Sequence, residues 1–168
     1  MILTVPICKF EYDLWSYYLA IPQANADPFI VGNDRRVKCT LYGETIHSAL
    51  MPKGTICSIY IKKDFLKRHN LAEGDKVEIQ LEKDTSEYGI PLPAALQELL
   101  YQDEEGSRYF HELTKGKQRS LIHIVGKVKN VDSQLAKGLA IMHHLKETKG
   151  VLDFKRLNVL IKEYNNRK

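Results

Sequence analysis

Residues 57–83 read CSIYIKKDFLKRHNLAEGDKVEIQLEK, and the fold follows from how this stretch is parsed. Cys57 to Ile61 has the apolar character of a strand. Asp64 opens a short segment, Asp64-Phe65-Leu66-Lys67-Arg68-His69, in which an early carboxylate complements the positive end of a helix. Asn70 tolerates the left-handed backbone that ends a helix, and Glu73-Gly74-Asp75 supplies a turn. Lys76 to Leu81 then alternates. Val77, Ile79 and Leu81 share one face, while Lys76, Glu78, Gln80 and Glu82 share the other, as in a strand with a core on one side and water on the other.

Moved forty positions along the chain, this pattern falls on an earlier copy of itself. Leu19 meets Ile59, Ile21 meets Ile61, Val31 meets Leu71, Arg36 meets Lys76, Val37 meets Val77, Cys39 meets Ile79 and Leu41 meets Leu81. Both copies run strand, partly helical linker, polar turn, basic residue, alternating strand. Two such β-loop-β units in one chain predict a barrel closed about a pseudo-twofold axis, which leaves no free sheet edge.

The remaining elements fall around these. Ile7 to Phe10 is β-compatible after Pro6, Leu14 to Ile21 alternates as a strand, and Val37–Leu41 with Thr45–Leu50 reads as a hairpin around Tyr42-Gly43-Glu44. Met51-Pro52-Lys53-Gly54 reads as a break before the strand Thr55–Ile61. After Asp84 the period changes to that of helices. Thr85 to Leu92 is a linker, followed by helical patterns over 94–101 and 109–113, with Gly106 between them as a breaker. Further patterns cover 117–128 and 133–148, the latter capped by Asp132 with a core stripe of Leu135, Leu139, Met142 and Leu145. A last helix runs from an Asp153 cap to Tyr164. The expected architecture is mainly β barrel plus α: a closed or split barrel of six to seven strands over 1–86, then a bundle of short helices over 87–168.

Composition narrows the class. The 168 residues, 43% hydrophobic and 27% charged, suit a folded chain with a real core. The N-terminus lacks the basic-then-apolar pattern of a signal peptide, and no apolar run reaches the ~18 residues of a spanning helix. Cys8, Cys39 and Cys57 occur singly, as reduced thiols of a cytoplasmic protein do. Charge is uneven: from Lys115 onward 13 Lys/Arg face 4 Asp/Glu, against 12 and 17 before it. A basic tail either contacts nucleic acid or a membrane surface, or packs on the acidic part, or simply solvates its helices.

Two family resemblances rest on particular residues. Ile-Pro at 21–22, a short helix, the Gly74-Asp75 turn and the strand after it resemble the AbrB/MazE type of β-loop-β unit, many of whose members bind DNA; Lys62 replaces the proline in the second copy. TyrTyrLeuAlaIlePro at 17–22, ValLysCysThrLeuTyrGlyGlu at 37–44, SerAlaLeuMetPro at 48–52 and GluGlyAspLysValGluIle at 73–79 resemble a small β-barrel domain of unknown function (1905). ProLeuProAlaAlaLeuGlnGluLeuLeu at 91–100 and ArgTyrPheHisGluLeuThr at 108–114 resemble the helical tail of the YdeI/OmpD-associated, or bacteriocin-protection, family. The resemblance implies no enzymatic activity and no cofactor. The segment 126–137 and the helix after Gly150 depart from the family's pattern.

The residues themselves offer little chemistry. His143 and His144 are helix neighbours whose side chains diverge by about 100°, and neither Cys-x-x-Cys nor His-Glu-x-x-His occurs. Cys39 and Cys57 fall on apolar-facing positions, where a thiol acts as a small hydrophobe. Met51-Pro52-Lys53-Gly54 lacks the glycine spacing and Lys-Ser/Thr ending of a phosphate loop. The candidate binding surface is therefore Arg36, Lys38, Met51, Lys53, Lys62 and Lys63, with no catalytic, cofactor or metal residues. The absence of a catalytic constellation, together with what the family resemblance implies, points to a non-enzymatic binding or stress-related interaction protein for a protein or small-ligand partner. The alternative is a DNA- or RNA-binding regulator using the barrel and the basic tail.

Overall fold

A computed structural model describes residues 1–11 and 16–166, so Leu14 and Trp15 of the expected second strand lie outside the described residues. The chain divides into two compact units, Met1–Gly89 and Ile90–Lys168.

The first unit is a curled antiparallel sheet of seven strands: β1 (Ile2–Lys9), β2 (Ser16–Pro22), β3 (Arg36–Leu41), β4 (Glu44–Ala49), β5 (Met51–Lys53), β6 (Ile56–Lys62) and β7 (Lys76–Lys83), in the order β4-β3-β7-β1-β2-β6-β5. A four-residue helix α1 (Gln23–Ala26) and a six-residue helix α2 (Lys63–Arg68) follow β2 and β6. Pro22 and Lys62 occupy the residue before each helix with nearly the same backbone, φ −55°, ψ 140° and φ −73°, ψ 141°. Proline fits that φ, so one copy carries it and the other does without.

The strand registers follow a pseudo-twofold relation. Leu19 pairs with Ile59 and Thr40 with Gln80, each pair forty positions apart. An axis through both pairs exchanges β2 with β6 and β3 with β7. It also exchanges β1 with the β4–β5 segment, there with an offset of forty-three. Ile7 N–H donates to Asp75 O at 2.9 Å and Leu50 N–H to Arg35 O at 2.9 Å, and these two bonds are equivalents.

They mark two corners. β1 pairs with β7 through Pro6, then with β2 from Ile7. The chain from Glu44 to Lys53 pairs with β3 through Ala49, then with β6 from Met51. Strands that change partners partway are how a sheet turns back on itself. Since only Leu50 separates the two edge strands of the sheet, the chain itself joins those edges. Met51–Lys53, expected to break the chain, is instead the second half of this bent strand. Likewise β1 begins at Ile2, and Pro6, which has no N–H to donate, sits at the corner.

Inward positions of both halves form one core: Val5, Ile7, Leu19, Ile21, Val37, Cys39, Leu41, Leu50, Cys57, Ile59, Ile61, Val77, Ile79 and Leu81, capped by Phe65 and Leu66 of α2. Val31 breaks the correspondence with Leu71, because it is exposed while Leu71 packs against the core. Turns follow from their residues. Tyr42 and Gly43 both have positive φ, 49° and 75°, as a two-residue hairpin requires, and Asn70 takes φ 53° after α2.

The second unit holds α3 (Ala94–Gln102), α4 (Glu104–Glu112), α5 (Lys115–Gly126), α6 (Val131–Glu147) and α7 (Phe154–Asn165). No helix among the described residues is long and apolar enough to cross a membrane. Asp153 caps α7 by accepting from Lys155 and Arg156 N–H, but Asn130 and not Asp132 caps α6. Gly106 does not break a helix. It lies in the first turn of α4, capped by Asp103, where a Cβ would stand 2.7 Å from Met142 Sδ.

The α6 core stripe is also different from expectation. Leu135 and Leu139 are 41% and 38% exposed, while Ala136, Ala140, Ile141, Met142, His144 and Leu145 are buried. The cause is close packing: a Cβ on Gly138 would fall 2.5 Å from Leu99 of α3. A face of Ala136, Gly138 and Ala140 admits that approach, and the bulkier leucines turn outward.

His144, fully buried, accepts from Asp153 N–H through Nε2 at 3.0 Å, which leaves the proton of the neutral ring on Nδ1. Among the described residues Nδ1 has no hydrogen-bond partner. Burial lowers its pKa below the ordinary histidine value, offset in part by Glu147 and Asp153 and reinforced by Arg156 and His143. The unfolded chain therefore binds the proton more readily than the folded one. The helical unit should lose stability as pH falls below the ordinary histidine value of about 6.5. Urea unfolding at pH 7.5 and 5.5 checks this: His144→Gln, which cannot titrate, should lose the pH difference seen in the natural chain.

Candidate functional site

The outer face of the β unit carries the candidate site. On β2 and β6 the odd-numbered residues from 17 to 21 and 57 to 61 point to the core, so Tyr18, Ala20, Ser58 and Tyr60 point away from it, in the pairs Tyr18–Tyr60 and Ala20–Ser58. β5 adds Met51 beside Ser58 and Lys53 beside Ile56. Ser58, Tyr60, Met51 and Lys53, with Phe10, Ser48, Ala49 and Pro52, line a groove of about 580 Å³, within the range of small-molecule sites.

Its walls are mostly apolar. Phe10 packs on Tyr18 with ring centroids 4.5 Å apart, and Met51 and Tyr60 are 57% and 49% exposed. Lys53 Nζ lies over both the Phe10 ring, at 5.7 Å, and the Tyr18 ring, at 5.6 Å, within cation–π range. Ser58 and Ser48 donate their hydroxyl protons to Met51 O and Ala49 O, at 3.2 and 3.3 Å. The Tyr18 phenol is pushed above its ordinary pKa, by burial first and then by Cys8, Glu11 and Glu73.

The pseudo-twofold relation explains why there is a groove on this face. Inward positions are apolar in both halves, whereas the outward ones have diverged: Tyr18 corresponds to Ser58, Ala20 to Tyr60, and Phe10 to Lys53. The two rings Tyr18 and Tyr60 pair with each other and the small Ala20 and Ser58 pair beside them, so large and small side chains alternate along the two strands. A period-two pattern in sequence identifies the outward face but not which outward residues become neighbours, so Phe10, Tyr18, Ser58 and Tyr60 were not predicted.

Of the six expected surface residues the structure brings together Met51 and Lys53. The others are elsewhere. Arg36 is half-buried, and its Nη2 donates to the Gly89 carbonyl. Gly89, at φ 67°, lies so close that a Cβ would stand 2.9 Å from Arg36 Nε. Lys38 faces His47 and Glu82 on the neighbouring strands. Lys62 and Lys63 flank the start of α2.

Arg36 belongs to a polar cluster that holds residues 84–89 against β3 and β4. Asp84, nearly buried, accepts from His47 Nδ1 at 2.8 Å and from Ser86 N–H and Oγ at 3.0 and 2.5 Å, while its own N–H donates to Arg36 O. Burial alone would raise the Asp84 pKa; the bonds from Ser86 and His47 hold it below the usual carboxylate range. A second cluster ties α2 to the β3–β4 hairpin. Glu44 accepts from Arg68 at 2.9 and 2.7 Å and contacts His69 Nε2 at 2.9 Å, with Tyr42 stacked on His69 at 4.8 Å. These hydrogen bonds bring the Glu44 carboxyl below its ordinary range.

Two of the three thiols, Cys39 and Cys57, are buried, and Cys8 is half-buried. Cys39 is fully buried, which pushes its pKa up to about 12, and Cys57 donates to Gln23 Oε1 at 3.4 Å. Among the described residues no group of three or more His, Cys, Asp or Glu is placed to hold a metal ion.

Comparison with known families matches residues 4–81 to a family described as a domain of unknown function (DUF1905), so the β unit carries that domain. No curated protein matches the chain.

Proposed function

We propose that the chain is a non-enzymatic binding protein whose β unit presents the Phe10–Met51–Lys53–Tyr60 groove to a ligand. The observation that carries this reading is the groove itself: the half-buried Phe10 ring, the exposed Tyr60 ring and the Met51 thioether line it together with one ammonium, Lys53, on a face where the two halves of a repeat have diverged. The polar clusters that resemble catalytic constellations are occupied in holding the chain. His47, Asp84 and Ser86 anchor residues 84–89, and Glu44, Arg68 and His69 anchor α2. The resemblance of the helical segments to the YdeI/OmpD-associated family, and of the two β-loop-β units to the AbrB type, supports an interaction role, stress-related in the first case.

Amide chemical-shift mapping of the full chain against a set of small aromatic fragments tests the reading. Perturbations should cluster at residues 48–60 and Phe10. Perturbations confined to residues 90–166, or none at all, would overturn it.

A nucleic-acid reading draws on Lys115, Lys117 and Arg119, which open α5 with no acidic residue in its first turn. Phosphate contacts predict affinity that falls steeply with salt. Titration of labelled single- and double-stranded DNA and RNA at 50 and 200 mM salt separates the two readings, and no binding at the lower salt excludes this one.

A further inference from the structure

We infer that the groove takes a small aromatic carboxylate, its ring lying among Phe10, Met51 and Tyr60 and its anionic end meeting the ammonium of Lys53. This rests on the proposed groove and specifies its ligand.

Charge complementarity gives the anion. Lys53 is the groove's cation, and among the described residues its contacts are the two ring faces of Phe10 and Tyr18. No carboxylate among them forms an ion pair with it. Glu11 acts on the Tyr18 phenol through its charge but is not paired with Lys53. An ammonium carries three donors, and a carboxylate can accept from them without displacing Lys53 from the rings.

The hydroxyls sharpen the choice. Ser48 and Ser58 already donate to backbone carbonyls, so what they offer a ligand is acceptor capacity, which does not suit an anion. The negative group is therefore steered to Lys53 and away from the serine end. Aromatic character follows from the rest of the lining. Ring faces and edges attract other rings, and the Met51 thioether adds a favourable sulfur–ring contact. The volume of about 580 Å³ accommodates one or two fused rings and excludes nothing of that size.

The test uses 2-naphthoate and its neutral isostere 2-naphthamide as probes, titrated into the full chain and followed by amide shifts. The naphthoate should perturb residues 48–60 and Phe10 and bind about tenfold more tightly than the amide, as one charge-assisted contact provides. In Lys53→Met, which keeps the apolar stem, the two probes should bind alike. Equal affinities in the natural chain, with shifts at the groove, would overturn the anion assignment and leave the groove reading standing. Failure of both probes to perturb the groove would overturn both. Retained naphthoate preference in Lys53→Met would place the anion elsewhere and also overturn the assignment.

Discussion

Leu50→Ala should destabilise the β unit by about 2–5 kcal/mol, the range for a buried leucine that leaves a cavity. Leu50 is 0% exposed, donates its N–H to Arg35 O, and is the single residue between β4 and β5, the two edge strands of the sheet. Its side chain fills the core at the corner while its backbone makes the turn. Met51 is the control, because it is adjacent, 57% exposed and outward-facing. Met51→Ala should change stability by no more than about 0.5 kcal/mol. Urea unfolding followed by hydrogen exchange, read separately on peptides from residues 1–89, measures both. Equal effects at the two positions would mean that the corner is not where the structure places it.

The second large effect belongs to the helical unit. Gln118 is almost fully buried, and its Nε2 donates to Phe110 O at 3.1 Å, His111 O at 3.2 Å and Leu113 O at 3.1 Å. One side-chain amide thus satisfies the carbonyls at the C-terminal end of α4, which has no further turn to accept from. Gln118→Leu keeps the bulk and takes the amide donor away from these carbonyls, of which Phe110 O still accepts from Leu113 N–H, at a cost of about 2 kcal/mol. Gln118→Glu should be worse at neutral pH, because a buried carboxylate then faces three carbonyl oxygens. Burial and those oxygens raise the pKa of the introduced acid, so its destabilisation should shrink as pH falls and the acid protonates. Thermal unfolding of both variants at pH 7.5 and 5 distinguishes them. If Gln118→Glu showed no recovery on acidification beyond that of Gln118→Leu, the carboxylate would not lie where Gln118 does.

The sequence made the inward half of the β unit readable. Alternation at 77–81, and its echo at 37–41, marks buried positions because a strand's faces differ by one residue, and the forty-residue offset identifies Leu19 and Ile59 as equivalent positions, though not that the strands pair with each other there. The corners were not readable. Pro6 and Met51-Pro52-Lys53-Gly54 look like breaks locally, and only pairing with β7, β2, β3 and β6 shows that the chain continues through them. The exposed leucines of α6 illustrate the same limit, since the close approach of Leu99 to Gly138 is a tertiary fact. Arg36 shows it for the site: a basic residue at a strand entry was expected to meet a ligand, and the Gly89 carbonyl occupies its guanidinium instead.

The fold, the axis and the groove floor all depend on β2 pairing with β6 of the same chain. Isotope-filtered nuclear Overhauser spectroscopy, on a mixture of labelled and unlabelled full-length chains refolded together, tests this directly. Contacts between the Tyr18–Tyr60 and Leu19–Ile59 pairs should appear only within a chain and be absent from the filtered spectrum. Their presence in the filtered spectrum would show two chains interlocking through these strands and would contradict a barrel made from the two halves of one chain.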